Sequence, residues 1–338
     1  MKCIPSLVGV IAIVVGFGLG ACVSSPLGRE KVSPPEDLLE SGDRSFEGGR
    51  FAEASELYKM AAVAASNKND GALFVEAAAQ VSSSLSLLGR SEDGQAWLNQ
   101  AQEADDGSEQ RAHARVLLAG ALHLRSTTQM APALHAFDEL YGYCLAMRWW
   151  EGAMQAATLA SVVAEGPVRV DWCQRTLDAA RSAAQPKWVA AAYESLGFAQ
   201  EAAGDLDSAV DSIRESRKAT APGSRLRLRS DWALAHMLRL TGKLAKAGSM
   251  LEAAIPVARR FHSKGYGPRD AEWLGRCFEE YAEVQAAMGR RRAALAAMKS
   301  ARKAYMLAEI QSLAPQKLRA LDARVANWKY EMNRVNKQ

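Results

Sequence analysis

The sequence predicts an all-α protein built from repeated helical hairpins. Alanine is abundant and aromatics make up only 7% of the chain, which favours helix because alanine loses no side-chain entropy there. One spacing recurs along the chain: a small residue, a second small residue twelve positions on, and a larger residue four beyond that. A glycine commonly stands between the two small positions, where a chain leaving a helix takes up positive φ.

The repeat is read in order. "GGRFAEASELYKMA" places Gly49, Phe51, Ala54, Tyr58 and Ala61 at the offsets that Gly204, Leu206, Ala209, Ile213 and Ser216 hold in "LGFAQEAAGDLDSAVDSIRESRKA". "TGKLAKAGSMLEAA" and "GRRRAALAAMKSA" repeat them, with Arg291 at a usually apolar place. Seven units follow. Their first-helix small positions are Gly42, Ser82, Ala121, Ser161, Gly197, Ala235 and Ala282. The second-helix partners are Ala54, Gly94, Ala133, Cys173, Ala209, Ala247 and Ala294. The larger residues are Tyr58, Leu98, Phe137, Leu177, Ile213, Leu251 and Met298. Helices approach closely only where side chains are small, and the larger residue is expected to fill the space between neighbouring pairs. Units three and four put Thr128 and Val168 where the turn glycine belongs. Pro186 and Pro222 fall just past second helices, where they stop them. Pro256 is expected to end or kink its helix, and "HSKGYGPRD" (262–270) reads as a glycine-proline loop that lengthens the last step.

This pattern resembles the tetratricopeptide repeat, a helix-turn-helix unit of about 34 residues. The resemblance covers residues 36–306 and implies a right-handed superhelical solenoid. It also implies a concave groove lined by first helices, where peptides bind. Carried over by register, the groove positions are Arg115, Leu118, Leu122 and Arg125 in unit three. Unit five contributes Glu194, Phe198 and Glu201, and unit six Arg229, Trp232, His236 and Arg239. Unit seven contributes Arg276, Glu279 and Glu283. Arginine and tryptophan are favoured hot-spot types, and arginine forks suit carboxylates. The set does not match the two-carboxylate clamp of chaperone-binding relatives. In residues 307–338, Leu318, Leu321, Val325, Trp328 and Met332 form one amphipathic stripe, read as a capping helix of the kind a solenoid end needs. The competing reading is a partner-binding or membrane-surface helix.

The N-terminus has its own pattern. Lys2 precedes a short apolar and glycine run from Leu7 to Leu19, the length of a signal h-region rather than a full span. Leu19-Gly20-Ala21-Cys22 resembles the bacterial lipobox. That resemblance implies cleavage after residue 21 and covalent diacylglycerol plus an acyl chain on Cys22. It also implies a lipid-anchored protein of the cell envelope. Val23 in place of an aspartate leans toward the outer membrane, periplasmic side. Residues 22–35 are polar and proline-rich and read as a flexible tether.

The remaining features exclude more than they assign. Net charge is +4, or +3 without residues 1–21, which gives no strong pull toward nucleic acid. Cys144, Cys173 and Cys277 form no C-x-x-C pair and read as buried small residues, with a Cys144–Cys173 bridge as the alternative. No zinc, esterase or phosphate-loop motif is present, and no two histidines stand at i, i+4. No enzyme, metal or non-covalent cofactor is therefore expected. Glu279-Glu280 and Asp105-Asp106 read as solvated acidic faces. The function expected is a lipid-anchored scaffold or adaptor for a protein partner in the envelope, such as an assembly factor or pilotin. The alternative is a ligand-binding accessory of a transport system, with a small molecule held inside the superhelix.

Overall fold

The structure is a computed structural model describing residues 33–263, 268–308, 310 and 314–335. The leader, Cys22 and most of the tether lie outside the described residues. The described chain is all helix and turn. Its fifteen helices are α1 (Pro35–Glu47), α2 (Phe51–Asn67), α3 (Gly71–Leu87), α4 (Ser91–Ala104), α5 (Gln110–Ser126), α6 (Met130–Ala146), α7 (Trp150–Val163), α8 (Gly166–Ser182), α9 (Pro186–Ala202), α10 (Leu206–Lys218), α11 (Arg225–Leu240), α12 (Leu244–Ser263), α13 (Pro268–Ala287), α14 (Arg291–Leu307) and α15 (Pro315–Val335). They form two compact units, one ending at Ala184 and the other starting at Gln185.

In the first unit α1–α8 pack as consecutive hairpins, and their first helices stack in the order α1, α3, α5, α7. In the second, α9–α14 do the same, with α9, α11 and α13 in one layer and α15 packed on α14. Prolines open α1, α9, α13 and α15, where no N–H is required. Asp70, Asp205 and Ser224 cap α3, α10 and α11 by accepting the backbone N–H three residues on.

The small and large positions of the repeat are buried in every unit except at Ser161, which is half-buried. Their pairing differs from the expectation. The larger residue fills the inside of its own hairpin. A Cβ placed on Gly42 would stand 2.5 Å from the Tyr58 ring, and one on Gly197 2.7 Å from Ile213. The reason is register: sixteen residues and one tight turn bring the two positions face to face. Tyr58 cannot yield, because its hydroxyl donates to Asp43 (2.7 Å) and accepts from the Gln80 amide (3.0 Å). Gly42→Ala is therefore expected to cost about 1–3 kcal/mol by overpacking, read as a lower urea midpoint. An unchanged midpoint would show that the hairpin has slack.

Most turns are three residues with the middle one at positive φ: Gly49, Asn69, Gly89, Thr128, Arg148, Ala184, Gly204, Gly242 and Gly289. Most also carry the bond that closes a Schellman cap, as from the Arg50 N–H to the Ser45 carbonyl and from Gln129 N–H to Leu124. Thr128 holds the left-handed conformation (φ 63°) in place of glycine, at a cost of roughly 1–2 kcal/mol. Val168 does not occupy a turn. It lies inside α8, after a two-residue connection at 164–165.

Pro256 neither ends nor bounds its helix, since α12 runs through it to Ser263. The long last step comes mainly from two lengthened helices, α12 and α13, of 20 residues each. Between them, residues 264–267 of the expected loop lie outside the described residues. In α15, Leu318 and Leu321 are buried and Val325 and Trp328 pack beside them on Met298, Ala301 and Tyr305. The side chain of Met332 lies outside the described residues. Cys144, Cys173 and Cys277 are free and buried, so the Cys144–Cys173 bridge is not formed. Burial pushes the three thiols up, to about 11, 11 and 12.

Candidate functional site

The first-helix layer of the second unit holds most of the expected groove residues. Glu194, Phe198 and Glu201 recur every three or four positions on α9. Arg229, Trp232, His236 and Arg239 do so on α11, and Trp273, Arg276 and Glu280 on α13. Helical spacing puts each set on one face, and stacking of α9, α11 and α13 brings the three faces together.

At the centre is a ring cluster. Trp232 stacks on His236 (5.8 Å between centroids), lies 6.1 Å from Phe198 and meets Trp273 edge-on at 5.7 Å. All four rings are half-buried. The Trp232 indole N–H donates to the Arg276 carbonyl (3.1 Å). Guanidinium groups cover the edges: Arg276 lies 5.0 Å from the Trp273 ring and 5.9 Å from Trp232, and Arg229 lies 5.6 Å from Trp273.

An ionic frame holds the cluster. Arg229 donates to Glu194 (2.7 Å), Arg239 to Glu280 (2.5 Å) and Arg276 to Glu272 (2.7 Å). His236 bridges the layer, with Nε2 3.1 Å from Glu201 and Nδ1 3.0 Å from Glu280. Burial opposes charge on this imidazole, but hydrogen bonds to Glu201 and Glu280 and their negative charges outweigh it, raising the pKa to about 9. Glu280 is buried, which favours its neutral form; His236 and Arg239 overcome this and lower its pKa. His236 is therefore a cationic pin between α9 and α13. Its two nitrogens address opposite carboxylates, so the trio does not converge on one point. Among the described residues no group of three or more histidine, cysteine or acidic side chains could hold a metal ion.

Three expectations change here. The forks of Arg229 and Arg239 are engaged by Glu194 and Glu280 of the same chain. Glu279 and Glu283 face away from the cluster: Glu279 accepts from the Tyr305 hydroxyl (2.5 Å) and Glu283 pairs with Arg324 of α15. Glu280, read as part of a solvated pair, is only 5% exposed. Asp105 likewise accepts from His113 (2.7 Å), while Asp106 is exposed. Trp273 and Glu280 are two members that sequence reading missed, and Glu272 is a third. The signal for the first two was the stripe Trp273-Arg276-Glu280 at i, i+3, i+7.

In the first unit the expected residues separate. Leu118 and Leu122 are core, 2% and 1% exposed, because α5 turns that edge toward its neighbours. Arg115 is buried beside Asp43 and Glu76 (both 3.7 Å), with its guanidinium 5.5 Å from the Trp149 ring centre. Arg111, not foreseen, bridges Asp43 (3.0 Å) and Glu76 (2.6 Å). Arg125 is half-buried, makes no ion pair among the described residues, and is held below its usual pKa by burial. A hollow of about 420 Å³ opens beside Arg111, Met147 and Trp149. Another, of about 490 Å³, lies between α10, α11 and α12 in the second unit, lined by Leu234, Leu238 and Met250. Both are open to solvent.

No protein-family model matches the sequence, and no curated protein matches it. Solved structures do match. The apo form of RapI aligns with TM-score 0.64 at 10% identity, over 80% of this chain and 76% of that one. A signal-transduction ATPase with a tetratricopeptide repeat sensor, from Pyrococcus horikoshii, aligns with TM-score 0.64 at 13% identity, over 84% of this chain but 43% of its own. The C-terminal part of a repeat protein from Cytophaga hutchinsonii aligns with TM-score 0.51 at 14% identity, over 84% and 98%. At these identities the likeness concerns fold. The hairpins and their stacked first helices are those of a tetratricopeptide-like repeat protein.

Proposed function

We propose that this chain is a lipid-anchored, tetratricopeptide-like adaptor that binds a protein partner in the bacterial envelope, in the manner of an assembly factor or pilotin. The observation that carries the reading is the half-buried Phe198–Trp232–Trp273 cluster, framed by arginines on the first-helix layer of the second unit. Rigid aromatics that are part exposed and already locked by an ionic frame suit a protein surface, because little side-chain freedom is lost on docking. The open hollows favour a surface partner over an enclosed small molecule. The lipobox-like Leu19-Gly20-Ala21-Cys22 supports anchoring through Cys22, with outer membrane, periplasmic side, as the proposed location.

Crosslinking the native protein in its own envelope and isolating the adduct identifies the partner. Arg276 then supplies the test. Its pair with Glu272 is about 30% exposed, so Arg276→Ala should change stability by no more than about 1 kcal/mol. Capture of that partner should fall roughly tenfold, the 1.4 kcal/mol expected for a modest hot spot. Undiminished capture rules this face out. Separately, Cys22→Ser should abolish incorporation of a palmitate analogue; persistent labelling defeats the anchor.

A further inference from the structure

Charge is distributed very unevenly along the chain. Residues 290–338 carry twelve lysines and arginines against three acidic residues, a net of +9. With +4 overall, residues 1–289 are left at −5. The described part of this segment is α14 and α15. On α14 the exposed stripe is Arg292, Lys299, Lys303 and Met306; on α15 it is Arg319, Asp322, Ala326 and Lys329. The two stripes belong to one face, because Arg302, beside Lys299 and Met306, donates to Asp322 (2.8 Å), which sits between Arg319 and Lys329. That pair neutralises itself. Arg292, Lys299, Lys303, Arg319 and Lys329 make no ion pair among the described residues. Exposed apolar side chains lie on the same two helices: Met306 (40%) and Leu307 (53%) near the end of α14 and Tyr330 (66%) further along α15.

We infer that the α14–α15 face docks on an anionic phospholipid surface, orienting the body against the membrane that anchors it. Unpaired cations interleaved with exposed Met, Leu and Tyr match such an interface. Headgroups supply negative charge over a continuous plane, and the apolar side chains enter the headgroup boundary. Each basic residue at such a surface multiplies partitioning by about fivefold, so five acting together hold a tethered body firmly at low salt. The ring cluster of α9, α11 and α13 uses other residues and stays free for a partner. The assignment to a membrane rests on the proposed anchor at Cys22; the basic face itself does not.

The test is a lysine-acetylation footprint of the full chain on vesicles of phosphatidylcholine alone and of phosphatidylcholine with phosphatidylglycerol. Lys299, Lys303 and Lys329 should label at least fivefold more slowly on the anionic vesicles, with the difference removed by high salt. Lys187 and Lys243 should label alike on both. Equal labelling of the three lysines on both vesicle types overturns the inference. So does equal protection by duplex DNA added to neutral vesicles at the same salt, which would make the face a nucleic-acid surface. Retention on neutral vesicles reads the anchor alone. A chain that leaves neutral vesicles but binds anionic ones, with the three lysines protected, discards the anchor and keeps the face.

Discussion

Arg229→Ala is expected to destabilise the second unit by roughly 3–5 kcal/mol, the penalty for stranding a buried carboxylate, and Arg239→Ala by less, because His236 stays paired with Glu280. Glu194 and Glu280 keep only 8% and 7% of their side-chain surface in contact with solvent, so water cannot replace the lost guanidinium. Arg214 pairs with Asp211 across an exposed turn of α10, with side chains 47% and 74% exposed; Arg214→Ala should cost less than about 1 kcal/mol. Urea unfolding of the three variants, followed by tryptophan fluorescence, checks the contrast. If all three shift the midpoint alike, the ionic frame is not structural. The same energetics make truncation of Arg229 and Arg239 a poor assay of partner binding, since lost capture would report lost structure.

Stability should also fall on the alkaline side, and His236 should be the cause. Its pKa is raised in the folded chain from 6.5 to about 9. A raised value means the folded state holds its proton more tightly, so the contribution is complete below pH 6.5 and is lost as pH climbs through 9. The rise corresponds to about 3 kcal/mol. Glu280 works in the opposite sense. Its folded pKa is depressed below 4.5, so its contribution is present above that value and disappears as pH falls through the depressed one. Stability from this trio should therefore be greatest between about pH 4.5 and 6.5. Unfolding free energies at pH 6 and pH 9.5 should differ by a few kcal/mol in the native chain, and His236→Gln should flatten the slope. A slope unchanged in that variant would place the titration elsewhere.

The ring cluster, its ionic frame and the basic face share one design. First helices present aromatic and charged side chains on one layer, while the last two helices present unpaired cations on another surface. An anchored body that docks through α14 and α15 would hold its binding layer at a set height and orientation above the lipid. With the proposed anchor and docking face, that arrangement would raise the effective concentration for a partner in the same membrane without any further contact.

The repeat was legible in the sequence because it is a local code. Gly42, Ala54 and Tyr58 obey a spacing set by helical pitch and one tight turn, and they are buried as that spacing requires. Ser161 strays because the turn after α7 is one residue shorter than most others, which shifts its register. The face carrying Arg229, Trp232, His236 and Arg239 was legible for the same reason, since residues at i, i+3 and i+7 share a helix side. What those side chains touch was not legible. Glu194 and Glu280 lie 35 and 41 residues from their arginines, and only the stacking of α9, α11 and α13 makes them neighbours. Glu279 and Glu280 are adjacent in sequence, yet one turns to Tyr305 and the other to His236. The helical period separates them by about 100°, and the packing of the neighbouring helices decides which one is buried. Sequence by itself determined the hairpin repeat, the positions it buries and the class of fold. Tertiary structure alone decided which charges neutralise one another and which remain free, because ion pairs form between helices whose juxtaposition no local spacing encodes.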